Sequence, residues 1–129
     1  MKSNHPTLRA KRFDVTEKAR KVASLEAMVI DFEHMALELT RQISSEEEYT
    51  HVKDPAHVAY STFAKATRLR RTKLLDSVAD LHAKLDLARR ELEVAEAELR
   101  ALEPAETRDA NRQLPNVDRT CGRSPKLAG

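Results

Sequence analysis

Apolar residues return to one register every seven positions along the first part of the chain, at Leu8, Val15, Val22, Val29, Ala36 and Ile43. Leu25, Phe32 and Leu39 fill a companion row three places on. A seven-residue apolar repeat marks a helix that buries one stripe against another helix. It predicts a first helix over about 7–50, with Pro6 and Thr7 as start signals, and Met28 and Met35 broadening the stripe at its middle. Toward the N-terminus the companion row carries Lys11 and Lys18, so that end is expected to pack more loosely or to meet something else. A second repeat alternates three and four: Leu74, Val78, Leu81, Leu85, Ala88, Leu92, Ala95, Leu99, Leu102. It predicts a second helix over about 62–103, ended or kinked by Pro104, because proline disfavours helical geometry in the residue before it. At roughly 1.5 Å per residue each helix would reach on the order of 60–65 Å.

Between the two patterns lies one interruption, HVKDPAHVAYS at 51–61. Asp54 before Pro55 is a stop and restart signal, since proline cannot continue a helix from its N-terminal side but suits a first turn capped by aspartate. Ser61 or Thr62 offers a second cap where the helical pattern resumes. The segment reads as a short, partly ordered hairpin turn.

Two similar stripes can pair within one chain or between copies, and charge separates the cases. Residues 1–22 hold seven Lys or Arg against two acids, whereas 91–98 hold Glu91, Glu93, Glu96 and Glu98. Folding back at the turn sets these stretches side by side and brings Glu46, Glu47 and Glu48 near Lys65 and Arg68. A parallel homodimer would set each basic block against its own copy. The expected fold is all-α: a long antiparallel two-helix coiled-coil hairpin over 1–106, followed by a flexible tail over 107–129. Both helices begin basic and the first ends acidic, opposite to what the helix macrodipole favours. Cross-helix pairing offsets part of that cost. The five cations Lys65, Arg68, Arg70, Arg71 and Lys73 exceed what such pairing needs, and read either as the contact for an acidic partner surface or as a solvated basic face.

Composition agrees with the pattern. Of 129 residues 34% are charged and only 4% aromatic, and the only glycines are Gly122 and Gly129, which favours long helices over a core with many tight corners. MKSNHPTLRAKRFDV has no apolar stretch of signal-peptide length, and the aliphatic run 27–30 is too short to span a bilayer, so a cytoplasmic location is expected. Cys121 has no second cysteine to pair with, and no neighbouring histidine to activate it.

Catalytic chemistry is hard to place on this chain. It has no Gly-rich phosphate loop and no Ser/His/Asp or Cys/His set, so neither an enzyme nor a cofactor is expected. His51, Asp54 and His57 have a metal-like spacing, but a cap and two turn histidines account for them more simply. His34 and His82 fall on exposed helix flanks. Nucleic-acid binding is disfavoured by a net charge of only +2 and by cations with no interleaved aromatics. Membrane insertion is disfavoured because a partner helix accounts for the apolar stripe.

The turn and restart DPAHVAYSTFAKA (54–66) and the opening LRAKRFDVTEKARKVASLEAMVIDFE (8–33) resemble the alphaproteobacterial branch of the flagellar export protein FliJ family, over residues 1–105. The resemblance implies a soluble component of the flagellar type III export apparatus, located at the cytoplasmic face of the inner membrane. Such a protein acts as a stalk-like activator of the hexameric export ATPase, escorts export chaperones and contacts the export gate. It also implies ATPase-ring contacts at Lys11, Arg12, Lys18, Arg89 and Arg90, and gate contacts at Tyr60, Phe63, Arg68 and Arg71. Tyr60 and Phe63 lie near the turn, where partly exposed aromatics beside arginines serve as interface anchors, or Phe63 closes the end of the core. The sequence departs from the family where Thr67 and Arg70 occupy the turn-proximal face of the second helix, which is more apolar in other branches. A generic coiled-coil adaptor or homodimeric scaffold without an ATPase partner is the alternative.

Overall fold

The computed structural model describes the backbone of residues 4–113 and the side chains of residues 6–104. The chain is all-α, with helix α1 at Asn4–Thr50, helix α2 at Thr62–Gln113, and residues 51–61 between them. Its contacts group into two units, Arg20–Arg89 and Met1–Ala19 with Arg90–Gly129, and each helix contributes to both.

In the unit Arg20–Arg89 the two helix segments run antiparallel. Cross-helix pairs link Glu26 with Arg89, Glu33 with His82, and Glu47 with Arg68, so positions rise along α1 as they fall along α2. Val22, Val29, Ala36 and Ile43 are buried from α1, and Ala64, Thr67, Val78, Leu81, Leu85 and Ala88 from α2. Each large aliphatic side chain removed from water in this way contributes about 1.5–3 kcal/mol. Leu25, Phe32, Leu39 and Leu74 flank them half-buried. The α2 seam extends past the predicted Leu74 by the same spacing, through Arg71, Thr67 and Ala64 to Tyr60. Thr67 is fully buried, and its hydroxyl donates to the Phe63 carbonyl at 2.7 Å, so it needs no cross-helix partner. Met28 and Met35 are 41% and 49% exposed, so they widen the apolar stripe at its rim without joining the buried seam.

In the unit that joins Met1–Ala19 to Arg90–Gly129, Leu8 and Ala95 are buried, and Val15, Leu92, Leu99 and Leu102 are half-buried. Lys11 and Lys18 occupy seam positions here, both half-buried. Long lysine stems cover apolar surface while their ammonium groups remain accessible to carboxylates.

Two predicted boundaries move. Helix α1 begins at Asn4, which places Pro6 in the first turn, where its missing N–H would have no intrahelical partner anyway. Helix α2 continues through Pro104 to Gln113, so an end at 103 and a tail from 107 are corrected. Pro104 is exposed, which leaves the carbonyl it cannot serve open to water, and Ala101, Leu102, Glu103, Ala105 and Glu106 around it are strong helix formers. The remainder of the expected tail, 114–129, lies outside the described residues.

A residue with positive φ turns the chain at the end of α1. His51 has φ 61°, the left-handed conformation that usually falls to glycine after a helix and that histidine tolerates better than most residues. Asp54 then organises the loop: its Oδ1 accepts the Ala56 N–H at 2.9 Å, and its carbonyl accepts the His57 N–H at 3.0 Å. His57 Nδ1 accepts the Ala59 N–H at 2.9 Å, and the His57 carbonyl accepts the Tyr60 N–H at 3.0 Å. The cap of α2 is Ser61, whose Oγ accepts the Ala64 N–H at 3.1 Å.

Candidate partner-contact surfaces

Beside the turn, three side chains close on one another. Tyr60 is 8% exposed, and its hydroxyl donates to Glu47 Oε2 at 2.6 Å. Arg68 donates from Nε to the Tyr60 oxygen at 2.8 Å and from Nη2 to Glu47 Oε2 at 3.2 Å, with its guanidinium carbon 5.9 Å from the Tyr60 ring centre. Arg68 therefore returns to Glu47 the hydrogen-bonding contact that Tyr60 also makes. The Tyr60 hydrogen bond, then Arg68, holds the Glu47 carboxyl below its ordinary value. Burial, then the bond to Glu47, raises the Tyr60 phenol. Hydrogen bonds to Tyr60 and Glu47 raise Arg68. Next to this triangle the Ser61 hydroxyl donates to Glu46 Oε2 at 2.5 Å, so the residue that caps α2 also holds the end of α1.

This geometry rearranges the four expected gate residues. Tyr60 and Arg68 are committed to Glu47, and Tyr60 is buried rather than partly exposed, which corrects the picture of two accessible aromatics. Arg71 is half-buried and donates to Thr40 Oγ1 at 3.0 Å, while Thr40 donates on to the Ala36 carbonyl at 3.1 Å. Phe63 is 49% exposed and alone of the four presents an apolar face to solvent. Thr67 is fully buried, so of Thr67 and Arg70, expected on the turn-proximal face of α2, only Arg70 is exposed.

The five expected ring contacts fall in both units. Lys11 donates to Glu98 at 2.6 Å and lies 3.6 Å from Asp14, while Lys18 bonds Asp14 at 2.5 Å. The bond to Glu98 raises Lys11, and the bond from Lys18 lowers Asp14. Arg12 approaches Glu103 only to 4.0 Å, with both side chains largely in solvent, where such a pair contributes little. Arg89 bonds Glu26 at 2.8 Å. Arg90 is exposed and has no acidic partner among the described residues. The most available charges of the set are thus Arg12 and Arg90.

His57 Nδ1 accepts a backbone N–H, and the backbone of His51 takes the left-handed conformation that turns the chain. Among the described residues no group of three or more His, Cys, Asp or Glu side chains could hold a metal ion, and no helix is long and apolar enough to cross a membrane. The seam extends from Leu74 back to Tyr60, beyond the repeat that the apolar letters mark, since counting back by three and four reaches Arg71, Thr67, Ala64 and Tyr60. Polar residues at two of those places hid the pattern. No family model, no curated protein and no solved structure matches this chain.

Proposed function

We propose that this chain is a non-enzymatic component of flagellar type III export, acting as a stalk-like activator of the hexameric export ATPase and as an escort for export chaperones. It would work at the cytoplasmic face of the inner membrane, beside the export gate. The observation that carries the reading is the turn and restart DPAHVAYSTFAKA together with the FliJ-like opening at 8–33, set on two antiparallel helices. Supporting it are accessible cations near the chain's opening and along α2, suited to many weak polar contacts rather than one locked apolar one. The ring set narrows to Arg12 and Arg90, and the gate set to Phe63, because the other members are held by partners within the chain.

A second reading has its own support. Lys11, Lys18 and Arg89 form ion pairs within the chain, so they need no external acid, as in an adaptor with no ATPase partner. The deciding experiment adds the purified protein substoichiometrically to the flagellar export ATPase of the same organism and follows hexamer formation and hydrolysis. Stimulation that is lost in Arg12→Glu/Arg90→Glu supports the stalk. A folded monomer without effect moves the function to the adaptor.

A further inference from the structure

The two sides of the helix pair in the unit Arg20–Arg89 differ. On one side charges meet across the seam, Glu26 with Arg89, Glu33 with His82 and Glu47 with Arg68. Ile30, Leu37 and Leu75 are exposed on that side, but these bridges interrupt them. On the other side Met28, Met35, Gln42 and Tyr49 recur along α1 at seven-residue spacing, and Met35 and Tyr49 are 49% and 83% exposed. The facing row of α2 is Phe63, Arg70, Ser77 and Lys84, which the antiparallel register sets level with Tyr49, Gln42, Met35 and Met28 in turn. An open groove between the rows is lined by Leu39, Arg70, Lys73, Leu74 and Ser77. Arg70, Lys73 and Lys84 have no acidic partner among the described residues, and residues 62–75 contain no acid at all.

We infer that this second side seats a helix of another protein, one with an apolar heptad stripe bordered by Asp and Glu. Two observations select that occupant. Met28, Met35 and Tyr49, exposed at heptad positions with the half-buried Gln42 between the last two, border the seam and fit a third helix, which meets two others through a repeat of the same length. The unpaired cations lie on the α2 rim and select carboxylates on the flank of the incoming stripe that meets α2, while Asp31 and Glu38 border the α1 row. From Met28 to Tyr49 the row spans about 30 Å, which calls for a docked helix of roughly 20 residues. The two methionines adapt to such a stripe without one fixed shape. This surface is separate from Arg12 and Arg90, so it stands or falls independently of the stalk reading.

The probe is a synthetic three-heptad helix with leucines on one face and glutamates at the flanking positions, titrated calorimetrically into the full chain. A twin carrying lysines in place of the glutamates is titrated alongside. The acidic helix is expected to bind and the basic twin is not. Met35→Glu and the double variant Arg70→Glu/Lys73→Glu are each expected to weaken binding by about tenfold or more. Leu37→Glu, on the bridged side, leaves it unchanged. All four positions are exposed, so each variant is expected to keep the fold, which unchanged circular dichroism checks. Failure of the acidic helix to bind, equal binding of both peptides, or equal loss in Leu37→Glu overturns the inference. So does a dimer of the chain that Met35→Glu dissolves, which makes a second copy the occupant. Binding to phosphatidylglycerol vesicles with the peptides inert likewise overturns it, in favour of a membrane surface.

Discussion

At the scale of single residues, the contacts that fix the turn are those least visible in a pattern of apolar and polar letters. Tyr60 and Arg68 each looked like partner-facing residues, because an aromatic beside cations at a helix end has that composition. Both prove to be tied to Glu47, and the tie makes a prediction about pH. Glu47 is held below its ordinary value, so its contribution is present above the ordinary carboxyl range and is lost as pH falls through the lowered folded value. Tyr60→Phe removes the largest cause of that shift, and thermal melts of the variant are expected to show a lower Tm at neutral pH and a shallower acid limb than the parent. The phenol supplies the opposite limb. Raised by burial, Tyr60 contributes stability that is complete below the ordinary phenol range and declines as pH rises through the folded value. In a Tyr49→Phe background, ultraviolet titration should therefore show Tyr60 ionising above that range, merging with it on unfolding. Titration of Tyr60 at the ordinary position in the folded chain would contradict the triangle. Ser61→Ala removes the α2 cap together with the hydrogen bond to Glu46, and is expected to cost about 1–2 kcal/mol by chemical denaturation.

For elements, the apolar repeat carried most of the information. The six heptad positions of α1 from Leu8 to Ile43 are buried or half-buried, as the spacing requires, because a period of seven leaves only one helix face to bury. Boundaries were less legible. Pro104 reads as a breaker from sequence, but its penalty depends on whether the freed carbonyl can reach water, and tertiary exposure is not written in the local sequence. Pro104→Ala restores a backbone hydrogen bond and removes a residue about 3 kcal/mol less favourable than alanine within a helix. Hydrogen exchange is expected to show added protection of the amides over 104–113 in that variant, and unchanged protection near the turn. Equal exchange in both proteins would mean that the helix past Pro104 does not depend on this residue. The end of α1 teaches the complementary lesson. No glycine marks it, yet His51 takes the left-handed conformation, so a glycine-based search finds the turn only through Asp54 and Pro55.

For the whole molecule, the question is whether the two seams are satisfied within one chain or between copies. Each unit buries its heptad positions against the other helix of the same chain, and the charged flanks pair in the same sense: Lys11 with Glu98 in one unit, Glu26 with Arg89 and Glu47 with Arg68 in the other. A parallel dimer would forfeit those pairs and bring basic openings together, so the chain by itself should be a monomer. Leu85 tests the same point from the core. It is 3% exposed in the seam, and Leu85→Asp would bury a carboxylate with no partner, a change that the protein escapes only by unfolding or by keeping the group protonated. Circular dichroism of that variant is expected to lose most of its helical signal at neutral pH and to regain part of it on acidification, while light scattering of the parent gives a monomer mass. A parent dimer that Leu85→Asp converts to a helical monomer would place the seam between chains. The ion pairs would then have to be redrawn as intermolecular, and the side with Met35 and Arg70 would lose its claim to be an open face of a finished helix pair.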